Sequence, residues 1–450
     1  MSPANVFLLL GTAIGIGYLI ATPPLLAPDE FRHLRRTVQI AHGGIIGGTT
    51  IPASFEQLAA ALRRDAGEVG RGPRGRAFSA ARLRAAAAVP LDPSSTVYLP
   101  GDRYLPYSPV AYLPALAAVS LAEHLGTRPL AILYLARLGL LLGGGALLYA
   151  SIRLTPTLPW SLCLVALLPT AAFVRSGVSA DTMTTALAVL LFALVMRLRA
   201  GTGPIAVPDV ALTTAAATAL ALCKIGYLPL TLVALALPAG RFASSRHRWR
   251  AVLVLIGVPA AVTLLWLGVL GDWMANDSHR RADAPAQLRL VLEDPLRFLL
   301  VLKSTWLAPE RLGHLAETFV GRILVLTVPS MLVVAALAAL AALSFVDGRE
   351  PGPLVVERLL FSVAVVASVA TISLGLYATW TAPGAATVRG FQGRYFYPVV
   401  PFAMFALLPP ESGLRSRLPG LPAALVTVVA LTANACGIAS VVASTWLRGA

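Results

Sequence analysis

The sequence predicts an all-α polytopic membrane protein, and three observations carry that expectation. Of its 450 residues 57 % are hydrophobic and 13 % charged, with a mean hydropathy of +0.76, a balance that an ordinary soluble domain does not sustain. Apolar runs near the roughly 20 residues needed to cross a bilayer recur along the chain, enough for about 11 to 13 spans. The alternating pattern of a membrane barrel is absent, so backbone polar groups inside the bilayer must be satisfied within helices.

Charge and cysteine usage fit the same class. The net charge is +15, almost entirely from arginine, because only Lys224 and Lys303 are lysines. In a membrane protein such an excess marks cytoplasmic loops and lipid headgroup contacts, so membrane lipids are expected partners and nucleic acid is not. Cys163, Cys223 and Cys436 lie far apart in apolar segments, with no disulfide or zinc spacing. Walker A, GxGxxG and HExxH patterns are absent, which leaves ATP-driven, dinucleotide-binding and zincin chemistry without support.

The chain reads as one membrane domain. The apolar run 6–20 has neither a basic n-region nor a clean cleavage site, so residues 5–27 are expected to be a retained first span. Residues 28–108 follow as a long extracytoplasmic loop, too long for a simple connection. Within it, 54–65 and 78–89 have the pattern of amphipathic interfacial helices, separated by a flexible basic turn at 70–76. The loop holds eleven arginines against seven acids, a balance suited to phosphate or to a headgroup-facing surface. Tyr104, Tyr107 and Tyr112 then bring the chain back to the bilayer as interfacial aromatics.

Residues 109–270 should be membrane helices, with segments near 109–123, 129–152, 158–176, 182–198, 207–223, 225–240 and 251–270. The cluster Arg241, Arg246, His247, Arg248 and Arg250 should be cytoplasmic. That sidedness requires one of the earlier segments to fail to cross, either 109–123 or one of the pair broken at Lys224-Ile225-Gly226. A second extracytoplasmic loop, 271–320, should carry an interfacial helix at 285–306 interrupted at Pro295. Residues 321–450 supply the C-terminal helices, near 321–345, 356–378, 395–409 and 421–446, with an inside loop around Asp347 and an outside loop at 379–394.

The stretch after the first span carries the candidate chemistry. Pro28 can open a helix whose first turn then holds Asp29 and Glu30, with His33 four and three residues further on the same face. Two readings share these residues: a carboxylate pair with an imidazole, or an ordinary cap with a solvated face. Lys224, between two apolar runs, costs about 2.5 kcal/mol or more at mid-bilayer and reads as functional. Arg394, and beside it Arg389, would serve as phosphate grips or as snorkelling arginines. Asp181 reads as a helix N-terminal residue.

Taken together, Pro28-Asp29-Glu30 with His33, Leu168-Pro169 with Ser179-Ala180-Asp181, Lys224 with Tyr227, Asp294-Pro295, and Gly390-Phe391-Gln392-Gly393-Arg394-Tyr395 with Pro398 and Pro401 form a pattern. It resembles a bacterial family of multispanning membrane proteins with an early PDE-x-x-H motif and a late Q-G-R-Y motif, related to the GT-C superfamily of integral-membrane glycosyltransferases. Phe31 and Arg32 stand where that family often has proline and a small residue. The resemblance implies a GT-C-like fold and a polyprenyl-phosphate sugar donor used at the extracytoplasmic face of a bacterial plasma membrane. It also implies an envelope glycan or lipid acceptor. It marks Asp29, Glu30 and His33 as catalytic residues, and Lys224, Tyr227, Gln392, Arg394 and Tyr395 as substrate-binding. Asp29, Glu30 and His33 would be the ligands if a divalent ion, Mg or Mn, is used. A transporter or flippase for a lipid-linked glycan, or a noncatalytic assembly subunit, is the competing expectation; acids gathered in one outer loop favour catalysis over transport.

Overall fold

The computed structural model describes residues 1–62, 78–101, 104–271, 282–347, 352–408 and 420–447. The turn at 70–76, Asp65, Glu68 and the centre of the inside loop, 348–351, lie outside the described residues. Among the described residues, six helices are long and apolar enough to cross a membrane: α1 (Pro3–Ala21), α6 (Pro129–Leu154), α9 (Ala180–Ala200), α11 (Ser245–Leu270), α16 (Val355–Trp380) and the last, α18 (Leu421–Thr445). The lipid-facing character is plain on α11, where Leu253, Leu264 and Leu265 are each about two-thirds exposed. This is an all-α polytopic membrane protein.

The other apolar segments differ from single long helices, and proline explains most of the differences. The run 158–176 is α7 (Pro159–Leu167) and α8 (Pro169–Arg175), because Pro169 has no N–H to continue the ladder. The carbonyls orphaned at this break are taken up from outside, Ala166 O by Arg175 Nη1 at 2.8 Å and Leu167 O by Asn434 Nδ2 at 2.8 Å. The helix α10 (Val207–Cys223) stops at Lys224, and Ile225–Ala236 continues as a 3-10 helix that contains Pro229. Residues 393–408 hold only a 3-10 turn, Gly393–Phe396, and the short α17 (Val400–Ala406). The segment 321–345 begins as a two-residue-per-strand hairpin, β3 (Arg322–Ile323) with β4 (Leu326–Thr327), before α15 (Ser330–Val346).

Contacts define two ends of the bundle. At one end Trp446 Nε1 donates to Ala21 O, Val178 N to Glu30, and Trp266 Nε1 to Pro106 O. At the other, Ser161 N donates to Asp347, Arg199 pairs with Glu357, Arg248 donates to Leu235 O and Leu237 O, and Arg358 to Ala406 O. The chain passes between these ends through α1, α6, α7 with α8, α9, α10, the 3-10 helix, α11, α15, α16, residues 393–408 and α18. The segment read as a span at 109–123 does not pass. Its helix α5 (Leu113–His124) starts beside His33 and ends where Glu123 faces His42 at 3.8 Å and Arg128 reaches Ala87 O, all residues of the first long loop. At twelve residues it is also only about 18 Å long, short of the hydrocarbon core.

That loop is folded. The helix α2 (Glu30–Ala41) leads to β1 (Thr49–Pro52), which pairs antiparallel with β2 (Thr96–Leu99), a hairpin-like closure not apparent from the sequence. Between the strands, α3 (Ser54–Leu62) and α4 (Ala80–Ala88) occupy the stretches expected to be amphipathic. The expected interfacial helix of the second loop is two helices, α12 (Ala284–Glu293) and α13 (Pro295–Trp306), where Asp294 caps the second by accepting from Arg297 N at 2.9 Å. It is followed by α14 (Pro309–Val320).

One buried pair ties the loop to the bundle. Thr22-Pro23-Pro24 ends α1, since the residue before a proline avoids the helical region. The guanidinium of Arg137, in α6, fills the resulting gap. Its five N–H groups reach Leu19 O, Thr22 O, Pro23 O and both carboxylate oxygens of Glu30, the last at 2.6 and 2.7 Å, with neither side chain exposed. Val178 N adds a third donor to Glu30. Removing one member of such a pair strands a buried charge, at a cost of about 3 to 5 kcal/mol. Glu30→Gln and Arg137→Met should therefore each lower the melting temperature of the detergent-purified protein sharply, and the double variant should lose less than the two losses combined. Melting of Glu30→Gln within a degree or two of wild type would remove this pair as the fastening of the loop.

Candidate functional site

The cluster lies at the end of the bundle where α1 stops, and four separate stretches of chain build it. Asp29 sits just before α2 with left-handed backbone, φ 57° and ψ 11°, a conformation that costs a non-glycine residue about 1 kcal/mol or more. Two things follow from that twist. Asp29 makes no side-chain cap to α2, and its carboxylate points away from that of Glu30. Glu30 turns inward to Arg137, whereas Asp29 stays 44 % exposed and accepts from Arg394 Nη2 at 3.0 Å across 365 residues of sequence. The expected pair of adjacent catalytic acids is thus one accessible carboxylate and one sealed structural one.

Arg394 belongs to the 3-10 turn at 393–396, which is docked on α14. Gly393 N donates to Thr318 Oγ1 at 2.7 Å, and a β-carbon at Gly393 would collide with Leu315 O and Phe319 N. Gly390, at φ 76°, similarly packs on the Trp380 indole. Both glycines therefore serve close contact with neighbouring protein groups. The side chain of Arg394 is 9 % exposed, lies 5.3 Å over the Tyr395 ring, and has its Nε 3.7 Å from Asp181 Oδ2.

Asp181 joins the halves of the cluster. It lies in the first turn of α9, whose start Ser179 Oγ secures by accepting from Asp181 N, and its Oδ1 accepts from Lys224 Nζ at 3.1 Å. Lys224 emerges where α10 ends in extended backbone, and its ammonium lies 4.4 Å from the centre of the Tyr395 ring. Tyr227 Oη donates to Tyr395 O at 2.9 Å, fixing the turn that carries Arg394 to the start of the 3-10 helix. Asp29, Arg394, Asp181 and Lys224 thus form an alternating chain of charges. Asp181 is the member that spacing alone presents as a simple cap.

His33 stands behind Asp29 in an aromatic cage. Its ring packs edge-on to Tyr104 and Tyr107, and Nδ1 hydrogen-bonds Tyr112 Oη at 2.7 Å. Burial drives its pKa down to about 4, against the pull of Asp29 and Asp181, so the imidazole is neutral at pH 7. For Asp29, partial desolvation raises the pKa, but Arg394 and His33 outweigh it and hold the carboxyl below its ordinary value. The remaining expected residues are placed less directly. Gln392 keeps a buried Oε1 with no hydrogen-bond partner, and Arg389 is exposed, its backbone N–H donating to Thr381 Oγ1.

Asp29, Glu30 and His33 do not form a divalent-ion site in this arrangement. Both Glu30 oxygens are committed to Arg137, and no group of three candidate metal ligands exists among the described residues. Beside the charges a cavity of about 30 Å³, room for a water or two, has Asp181, Arg394, Thr182, Arg175, Ala166 and Ala171 in its lining.

The His33 shift has a measurable consequence. The unfolded chain takes up a proton near pH 6.5 and the folded one only near pH 4, so the contribution of His33 is complete above pH 6.5 and is lost as pH falls towards 4. The loss is at most about 1.4 kcal/mol per pH unit. Thermal melts across pH 7 to 4 should fall more steeply for wild type than for His33→Gln; parallel curves would mean that the imidazole is not held neutral.

Comparison with known proteins gives a family and no more. The family described as Predicted membrane protein (DUF2142) matches residues 12–403, so the chain belongs to it. No curated protein and no solved structure matches the chain.

Proposed function

We propose that this member of the DUF2142 family is a membrane glycosyltransferase of the GT-C kind. In this reading it moves a glycosyl unit from a polyprenyl-phosphate donor to an envelope glycan or lipid acceptor, at the extracytoplasmic face of a bacterial plasma membrane. The observation that carries the reading is the Asp29–Arg394 contact, which sets an accessible carboxylate against a phosphate-type cation from the other end of the chain. Sugar transfer needs both: a base for the acceptor hydroxyl and positive charge on the departing phosphate.

The roles follow from placement. Donor phosphate competes with Asp29 for Arg394, whose planar fork suits it, and Lys224 adds a point charge nearby. Asp29, released, accepts the proton of the acceptor hydroxyl as its oxygen bonds to the anomeric carbon. The bond from that carbon to the phosphate oxygen breaks, and the polyprenyl phosphate leaves with the electron pair. His33, neutral and caged, holds the floor beneath Asp29, while Glu30 keeps the backbone twist in place from behind. A low native pKa suits Asp29 to be ionised whenever the site is empty.

Two outcomes test the reading. In proteoliposomes supplied with polyprenyl-phosphate sugars and lipid acceptors, Asp29→Asn should abolish transfer at unchanged melting temperature, since shape is kept and proton acceptance lost. Arg394→Ala should weaken donor binding by about one to two decades, with Arg394→Lys restoring part. Turnover by Asp29→Asn within a few-fold of wild type would end its role as base, and bilayer crossing of the lipid-linked sugar with no transfer would favour a flippase. Sidedness is separable. With the native cysteines replaced, a cysteine at position 60 should react with an impermeant reagent in intact cells and one at 246 should not; the reverse result would put the site on the wrong face.

A further inference from the structure

Arg175 ends α8 and is 3 % exposed, yet no carboxylate pairs with it among the described residues. Nη1 donates to Ala166 O, the Phe7 ring lies 5.4 Å from Cζ, and Nη2 is buried with no hydrogen-bond partner. Closing the break at Pro169 does not explain the charge. The neighbouring orphan carbonyl, Leu167 O, is satisfied by the neutral amide of Asn434, so a neutral donor suffices at this break. An uncompensated guanidinium in a low-dielectric interior is costly and functional by default. Arg175 lines the same cavity as Arg394 and Asp181.

From these observations we infer an unassigned oxyanion site at Arg175, which takes a phosphoryl oxygen of the substrate through the Arg394–Asp181 side of the cavity. Charge and size favour that ligand. Arg175, Lys224 and Arg394 are three cations against the two carboxylates Asp29 and Asp181, so the region carries one positive charge in excess. A volume of about 30 Å³ admits a water-sized or oxygen-sized group. Phosphate would reach inward to Arg175 while the glycosyl unit stays outside, beside Asp29. The inference rests on the phosphate-donor reading above but concerns a residue that reading does not use.

The test is equilibrium binding of a short-chain polyprenyl phosphate, and separately of inorganic phosphate, to purified wild type, Arg175→Gln, Arg175→Lys and Ala171→Leu. Arg175→Gln keeps a donor for Ala166 O and should weaken polyprenyl phosphate by about 10- to 100-fold, with Arg175→Lys between it and wild type. Ala171→Leu fills the cavity, keeps every charge, and should weaken binding similarly; it decides the matter if Arg175→Gln does not purify as a folded species. Matching losses for inorganic phosphate would make the ligand the phosphoryl group itself, and losses confined to the lipid would make it a lipid headgroup. Unchanged affinities in Arg175→Gln, or in Ala171→Leu where that variant stands in for it, would overturn the site and leave the cavity to water or chloride. Because binding is read without turnover, Arg175-dependent binding with no glycosyl transfer would sink the transferase and spare the site, whereas transfer with Arg175-independent binding would do the opposite.

Discussion

Everything at the charged end of the bundle depends on the enclosed pair of Glu30 and Arg137. Arg137 spends all five of its donors within one turn of chain, three on carbonyls left bare where Thr22-Pro23-Pro24 stops α1 and two on Glu30. A neutral side chain could not satisfy so many acceptors from one position, and a carboxylate is needed to offset the guanidinium. With Glu30 held from behind and Gly177 closed against Ala27, the twist at Asp29 is over-determined by its neighbours. That is how a strained backbone persists. The accessible carboxylate is thus a product of the inaccessible one.

The charge chain from Asp29 to Lys224 draws on four segments distant in sequence. Each residue is at the end of an element: Asp29 before α2, Asp181 in the first turn of α9, Lys224 at the end of α10, Arg394 in a turn docked on α14. Ends are where helices in a membrane reach water and where backbone groups lack partners, so charge is least costly there. The alternation of sign keeps each cation beside an anion in the resting molecule. An incoming phosphate then exchanges one anionic partner for another and avoids desolvating a bare cation.

Hydropathy alone made the class of the protein legible, but it read 158–176 as one segment where Pro169 parts α7 from α8. The 3-10 form of 225–236 was not legible, because it reflects packing: Gly226 lies so close to α16 that a β-carbon would sit 2.5 Å from Ile372. At the site, Asp29, Lys224 and Arg394 stood out through motif and through the rule that a charge among apolar residues has a purpose. The same rule, applied to Arg137 and Arg175 within their apolar runs, points to both; spacing could not say that one is a fastening and the other lacks an anion. Glu30 was misleading for a definite reason. A helix opened by Pro28 would place Asp29 and Glu30 in one first turn, whereas with left-handed backbone at Asp29 the helix begins two residues later, at Glu30, and the two carboxylates meet different partners. No local pattern encodes that choice, which is made by Arg137, 107 residues away.

The 3-10 helix that follows Lys224 has a mechanical side. Its twelve residues span about 24 Å at the 3-10 rise, whereas the same residues wound as α-helix would span about 18 Å. The segment therefore reaches about 6 Å further than an α-helix of the same residues would, with Arg248 on the carbonyls of Leu235 and Leu237 at one end and the lysine at the other. Pro229, inside it, can donate to neither ladder, and Lys224, at its start, reaches Asp181.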